Sequence, residues 1–254
     1  PGTLSLSVDS EIEVKTAGDL KLTHSGGLRV GPYALSLLGG GSLKVDGSLR
    51  LDDAQSELVL SGIILDNVST AAGSKGLRVD GASTVGLLSV SHETPLLVGG
   101  GAGVSLSGAI GLYTGGTLKL TGTGEVSSQL SFSGGTLDID ESLSWTADWS
   151  LNDSGTIDIA LEKTLSYSGA ALDLGANSLT LSGAGTLLNT NELSLSEALS
   201  VLKVAGTNTI SGPVSLGAGL IDVDETAELS GALSLEGSAE IDIALERTLS
   251  YSGA

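Results

Sequence analysis

The chain has no cysteine and no methionine. Disulfides are therefore excluded, and the redox compartment is left open. It also lacks any run of about 20 apolar residues, so no segment reads as a membrane-spanning helix. Aromatic residues make up only 3% of the chain, less than the core of a globular enzyme of this length usually uses. Positive charge is scarce: 11 Lys and Arg stand against 30 Asp and Glu, a formal net charge of −19. That balance repels nucleic-acid phosphates and anionic membrane surfaces, so neither is an expected partner. Its plain use is to keep a sheet-rich body in solution. Hairpin signals are scarce too. Asn-Gly is absent and Asp-Gly occurs only at 46–47 and 80–81, which argues against an antiparallel sandwich or barrel. There is no initiator Met and no signal peptide, and the opening PGTLSL already lies inside the pattern described below. The chain therefore reads as a mature product or, in preference, as an excised piece of a longer repeat protein.

What is abundant is Gly, Ser and Leu. Glycine alone accounts for 38 of 254 residues, a content shared with disordered linkers. Yet 40% of the residues are hydrophobic and the mean hydropathy is +0.30, enough apolar surface to bury and fold.

The stretch IDIALEKTLSYSGA (157–170) returns as IDIALERTLSYSGA (241–254). The duplication is wider than this motif. Residues 115–170 align with 199–254 at a constant offset of 84, with 26 of 56 positions identical. A weaker echo joins GGSLKVDGSLRL (40–51) to GGTLDIDESLSW (134–145). Within the repeat, apolar-x-apolar triplets such as LKL, LDI, IDI, LSY and LTL recur every six to eight residues, separated by Gly, Ser, Asn and Asp. Such alternation is that of short strands with one buried face, divided by turns. No helical period is present; the nearest, SEALSVLKV at 196–204, ends in a strand-like triplet.

The central residues of the triplets fall into three outward columns. The first runs Lys119, Asp138, Asp158, Thr180, Lys203, Asp222, Asp242. The second runs Glu125, Ser144, Ser166, around Leu187, Thr209, Glu228, Ser250. The third runs Ser131, Ser150, Asp173, Ser194, Ser215, Ser234. Each coil therefore takes about 21 residues and holds three short strands, and four coils make the offset of 84. This is an all-β fold, a right-handed parallel β-helix: one elongated solenoid over 1–254 with about a dozen coils. At about 4.8 Å per coil it forms a rod on the order of 60 Å long. Leu, Ile and Val fill the interior, with Phe132, Trp145, Trp149, Tyr167 and Tyr251 as wide layers. Glycines belong at the corners, where the chain turns tightly or backbones approach closely.

LTLSGAGTL (179–187), GGTLDIDESLSW (134–145) and GGTLKLTGTG (115–124) resemble the repeats of large bacterial surface proteins, namely autotransporter passengers and filamentous-haemagglutinin-like β-strand-repeat adhesins. The resemblance implies a right-handed β-helix displayed outside a bacterial cell as a stalk, fibre or adhesin. Its expected partners are neighbouring coils of the same protein or further copies stacked end to end, and glycans or proteins of a host or cell surface.

Catalytic readings are weaker. The acidic runs DIDE (138–141) and DVDE (222–225) place Asp138 with Asp140, and Asp222 with Asp224, on one strand face. A carboxylate pair or weak calcium binding is conceivable there. Duplication favours a solvated face, because active sites are usually single while scaffold features recur. In the first column Lys beside Asp attracts, whereas Asp stacked on Asp repels unless a cation intervenes. GGGAGVSL (99–106) lacks the Asp of a calcium-binding nonapeptide. Neither it nor GGLRVGPYAL (26–35) carries the Lys-Ser/Thr of a phosphate loop. His24 and His92 have no partner nearby in sequence. No catalytic, cofactor-binding or metal-binding residue is assigned, and the chain reads as a non-enzymatic structural segment. The alternative is a carbohydrate-active β-helix, such as a tailspike-like lyase or glycosidase, or a glycan-binding module. Either would use the least regular stretch, 52–95.

Overall fold

A computed structural model describes residues 4–15, 18–22, 27–45, 47–70, 73–100 and 103–253. Among them there is no helix, only short strands. Among the described residues the ladders between strands are parallel, and an isolated bridge from Tyr113 to Gly134 is antiparallel. The strands stack into a twelve-stranded face, a sixteen-stranded sheet and a four-stranded face. On the twelve-stranded face, strand starts run from Ser10 to Glu240 in eleven steps, about 21 residues each. The molecule is a β-solenoid, and the expected coil length holds.

Local sequence explains the strands. Thr117–Thr121 (TLKLT) and Glu125–Ser133 (EVSSQLSFS) alternate partly exposed with buried residues along their whole length. Their buried sets are Leu118 and Leu120, then Val126, Ser128, Leu130 and Phe132. One coil cannot cover such residues; stacking merges them into a single core that runs from Val14 to Leu229.

Each coil has three faces, but the middle of the stack joins two of them. Ile64–Thr70, Ser83–Val90, Ser105–Tyr113 and Glu125–Ser133 are long strands that bend from one face to the next. The bend is marked by a register shift between Val85 and Leu88. At Gly108 φ is +118°, and a Cβ would lie 1.7 Å from the Val85 carbonyl oxygen, so only glycine fits. Earlier and later coils divide the same path in two. Leu143–Trp145 pairs with the first half of Glu125–Ser133, and Trp149–Leu151 with its second half. The separate four-stranded face begins at Leu172–Asp173. A second close approach runs down one corner. At Gly212, Gly231 and Gly253 a Cβ would lie 1.9 Å from the carbonyl oxygen of Asn189, Gly212 and Gly231 respectively.

The aromatic layer is concentrated. Trp149 stacks on Tyr167 with ring centroids 4.2 Å apart, and meets Trp145 and Phe132 edge-on at 5.6 and 6.1 Å. Trp145 Nε1 donates to the Ser128 carbonyl at 2.7 Å. The Trp149 indole nitrogen has no such partner, and its ring is held by stacking instead. Tyr251, expected in the interior, is 50% exposed. Its strand pairs on one side only, so no coil covers the ring.

The outward columns need one correction. Lys119, Asp138 and Asp158 follow one another as expected. The next residue in that column is Ser182, not Thr180, and it is Thr180 that precedes Lys203. The second column slips at the same coil: Ser166 pairs with Leu188 rather than Leu187, and Thr209 follows Thr186. The third is interrupted, because no ladder joins Trp149–Leu151 to Leu172–Asp173. The slip moves the pairing by two residues, which keeps every side chain on its original face. Leu179 and Leu181 are both fully buried and serve either register equally. The stretch 196–204 divides into a turn, closed by Ser200 N donating to the Glu197 carbonyl, and the strand Val201–Val204.

Candidate functional site

The chemistry foreseen for this chain centres on the charged face, which exists twice. In the first copy, strand Thr117–Thr121 sets Lys119 outward beside Asp138 of the next coil. Lys119 Nζ lies 3.2 Å from Asp138 Oδ2 and 2.9 Å from Asp140 Oδ2. In the second copy, Lys203 Nζ lies 3.2 Å from Asp222 Oδ2 and 2.6 Å from Asp224 Oδ2. The ammonium therefore lies between Asp138 and Asp140, and between Asp222 and Asp224, the two acidic runs singled out in the sequence, and not between the stacked Asp138 and Asp158. Asp140 first and Asp138 second, as hydrogen-bond acceptors, hold the Lys119 ammonium above its ordinary pKa; Asp224 and then Asp222 do the same for Lys203.

Asp158 stacks on Asp138 with no lysine of its own. Burial first, and the Asp138 charge second, push its carboxyl upward, while a hydrogen bond from Ser182 pulls it partly back. The corner behind this face carries a further ion pair in each copy that the sequence reading did not foresee. Lys163 Nζ meets Glu141 Oε2 at 2.8 Å, and Arg247 meets Glu225 Oε2 at 2.9 Å. The signal was present in the text as an acid and a base 22 residues apart in both copies, close to one coil.

These clusters can do little chemistry. Glycosidic bond cleavage needs two carboxyl groups facing a cleft, one of them protonated. Here both carboxylates of each pair grip one partly exposed lysine. Two surface concavities, one bounded by Leu87, Tyr113 and Asp148 and one by Ser48, Arg50 and Asp52, contain none of these residues. Among the described residues no group of three or more His, Asp or Glu could hold a metal ion.

The remaining sequence candidates separate cleanly. The stretch 52–95 contains no long loop among its described residues. Glu57–Ser61, Ile64–Thr70, Gly76–Val79 and Ser83–Val90 stack in register there, and the text looked irregular because two of these strands are long and bent. His92 is exposed on a turn, where its carbonyl accepts from Thr94 Oγ1 and Thr117 N. His24 lies outside the described residues. No helix among the described residues is long and apolar enough to cross a membrane. In comparison with known proteins, the chain matches no family model, no curated protein and no solved structure.

Proposed function

We propose that this chain is a non-catalytic shaft segment of an extracellular bacterial adhesin or surface fibre. The observation that carries the reading is duplication of surface and core together. The Lys–Asp–Asp clamp, the corner ion pair and the buried leucines recur with the same 84-residue spacing along an uninterrupted stack. A site selected for chemistry needs one copy, whereas a structure selected for length gains from each. Its mechanical output is reach, one strand spacing per coil, with acidic and Ser-rich sides that resist sticking.

In this reading the partners are coils of the same kind, within a longer chain or in another copy stacked end to end.

Inserting one further 84-residue unit lengthens the particle by four strand spacings, about 19 Å, measured by atomic force microscopy on single rods. Antibodies against this chain label the surface of intact source cells. An unchanged length, labelling only after lysis, or polysaccharide cleavage that Asp138→Asn with Asp222→Asn abolishes overturns the proposal.

A further inference from the structure

Midway along the shaft the outer surface has a concavity of about 300 Å³. It lies where the bent strands divide. Ala109 pairs with Gln129, and Gly111 with Ser131. In the next coil Ser131 pairs with Ser150, while Leu130 N donates to the Asp148 carbonyl at 3.0 Å, which sets Asp148 beside Gln129. Gln129 and Asp148 are both exposed.

Tyr113 supplies the apolar wall. The chain has seven aromatic residues, and four of them form the core cluster. Tyr113 is 42% exposed in mid-shaft, away from the open terminal coil that exposes Tyr251. Its ring folds back over Gly111. A methyl group on Gly111 would lie 3.0 Å from Tyr113 Oη and 3.1 Å from Cε2 and Cζ. The missing side chain thus lets the phenol rest against the sheet.

The polar groups around the ring both donate and accept. The Gln129 amide does both, and the Asp148 carboxylate accepts. Asp148 is oriented by Ala170 N, which donates to its Oδ1 at 2.7 Å. Ser131 Oγ accepts from Asn152 Nδ2 at 2.7 Å, so its own hydroxyl hydrogen remains to donate. Lys, Arg and His are absent from the lining, and the net charge of −19 repels anions. An amine would use the carboxylate and the ring but leave the Gln129 and Ser131 donors idle. A neutral sugar uses all of them, because it combines an apolar C–H face with hydroxyls that donate and accept.

We infer that this concavity binds a neutral pyranose ring, its C–H face on Tyr113 and its hydroxyls on Gln129, Asp148 and Ser131. The inference is independent of the shaft reading: a sugar can be held by a stalk or by any other solenoid. One ring in an open site binds weakly, with a Kd on the order of 1 mM.

The test is saturation-transfer NMR on the full chain with the methyl pyranosides of glucose, galactose and mannose, beside choline and glucuronate as charged probes. At least one neutral glycoside is expected to receive saturation at its ring C–H protons. Tyr113→Ala abolishes the transfer, and Gly111→Ala, which displaces the ring, weakens binding by about tenfold. Gln129→Ala weakens it less. Far-UV circular dichroism and thermal midpoints establish that each variant is folded; if Tyr113→Ala lowers the midpoint, Gly111→Ala and Gln129→Ala decide the matter. No transfer to any of the three glycosides, transfer that survives Tyr113→Ala, or binding of choline alone overturns the inference.

Discussion

Residues 157–170 and 241–254 differ only at Lys163 and Arg247, and over the described residues, which end at 253, the two copies share their turn and their stacking partners. Both turn through a left-handed glutamate, Glu162 at φ 62° and Glu246 at φ 63°. Both close that turn with the same hydrogen bond, Lys163 N to the Ala160 carbonyl and Arg247 N to the Ala244 carbonyl. Both stack an aspartate on an aspartate of the preceding coil. Yet Ile157, Ile159, Leu165 and Tyr167 are buried, whereas Ile243 and Tyr251 are exposed and Ile241 and Leu249 only partly covered. The first copy lies between two coils and the second has a coil on one side only. In a solenoid, burial belongs to a residue's neighbours along the axis. Local conformation belongs to the residue and its turn.

The comparison can be broken most decisively at the tyrosines. Tyr167 is 2% exposed; its hydroxyl accepts from Trp149 N at 3.2 Å and donates to the Ala170 carbonyl at 2.8 Å. Tyr167→Ala should cost about 3–5 kcal/mol in denaturant unfolding, and Tyr251→Ala, at a half-exposed ring, under about 1 kcal/mol. Equal losses would mean that the second copy is covered in solution. A smaller contrast comes from deleting one methylene: Ile159→Val should cost about 1 kcal/mol, and Ile243→Val a few tenths, read from the same curves. Ile159 is fully buried, while Ile243 is 43% exposed.

The glutamates should behave alike, which sharpens the distinction between local and stacked effects. A left-handed non-glycine residue costs about 1 kcal/mol, and glycine's extra freedom when unfolded returns about half of that. Glu162→Gly and Glu246→Gly should therefore each stabilise by about 0.5 kcal/mol, with local opening followed by hydrogen exchange. A gain in only one copy would show that the strain depends on stacking.

The smallest effect is electrostatic. Asp158 holds its proton more tightly in the folded chain, first through burial and then through the Asp138 charge. Its contribution is thus most favourable below the ordinary value of 3.8 and is lost as pH rises through the raised folded value. Asp158→Asn should raise stability at neutral pH by a few tenths of a kcal/mol, since the site is partly exposed. The gain should vanish near pH 3 in a thermal-melt series. Asp242→Asn, at an exposed position, should shift the melt less at neutral pH.

Much of this architecture was legible in the text because parallel stacking repeats itself. Lys119, Asp138 and Asp158 fall into one column at steps near the coil length, and the clamp in each copy follows from that column. Thr180 was misplaced because an even slip leaves inward residues inward, so alternation cannot reveal it. Leu187 differs: it is itself buried, one place from the outward Leu188 that pairs with Ser166. Tyr113 and its concavity were hidden differently. Gly111, Gln129 and Asp148 come from three successive coils at column-like steps of 18 and 19 residues, but nothing in that spacing shows the Tyr113 ring folded over Gly111.

The sequence by itself determined that this chain forms short strands, how long each coil is, and which residues of a strand face inward, because these depend on alternation and on turn residues a few positions apart. The tertiary structure alone decided the two-residue slip at Ser182 and Leu188, the joining of two faces into one bent strand, and the difference in burial between Tyr167 and Tyr251. Those outcomes depend on how neighbouring coils fit against one another. Pairing energy along a parallel ladder is nearly the same for registers two residues apart, so packing between coils makes the choice.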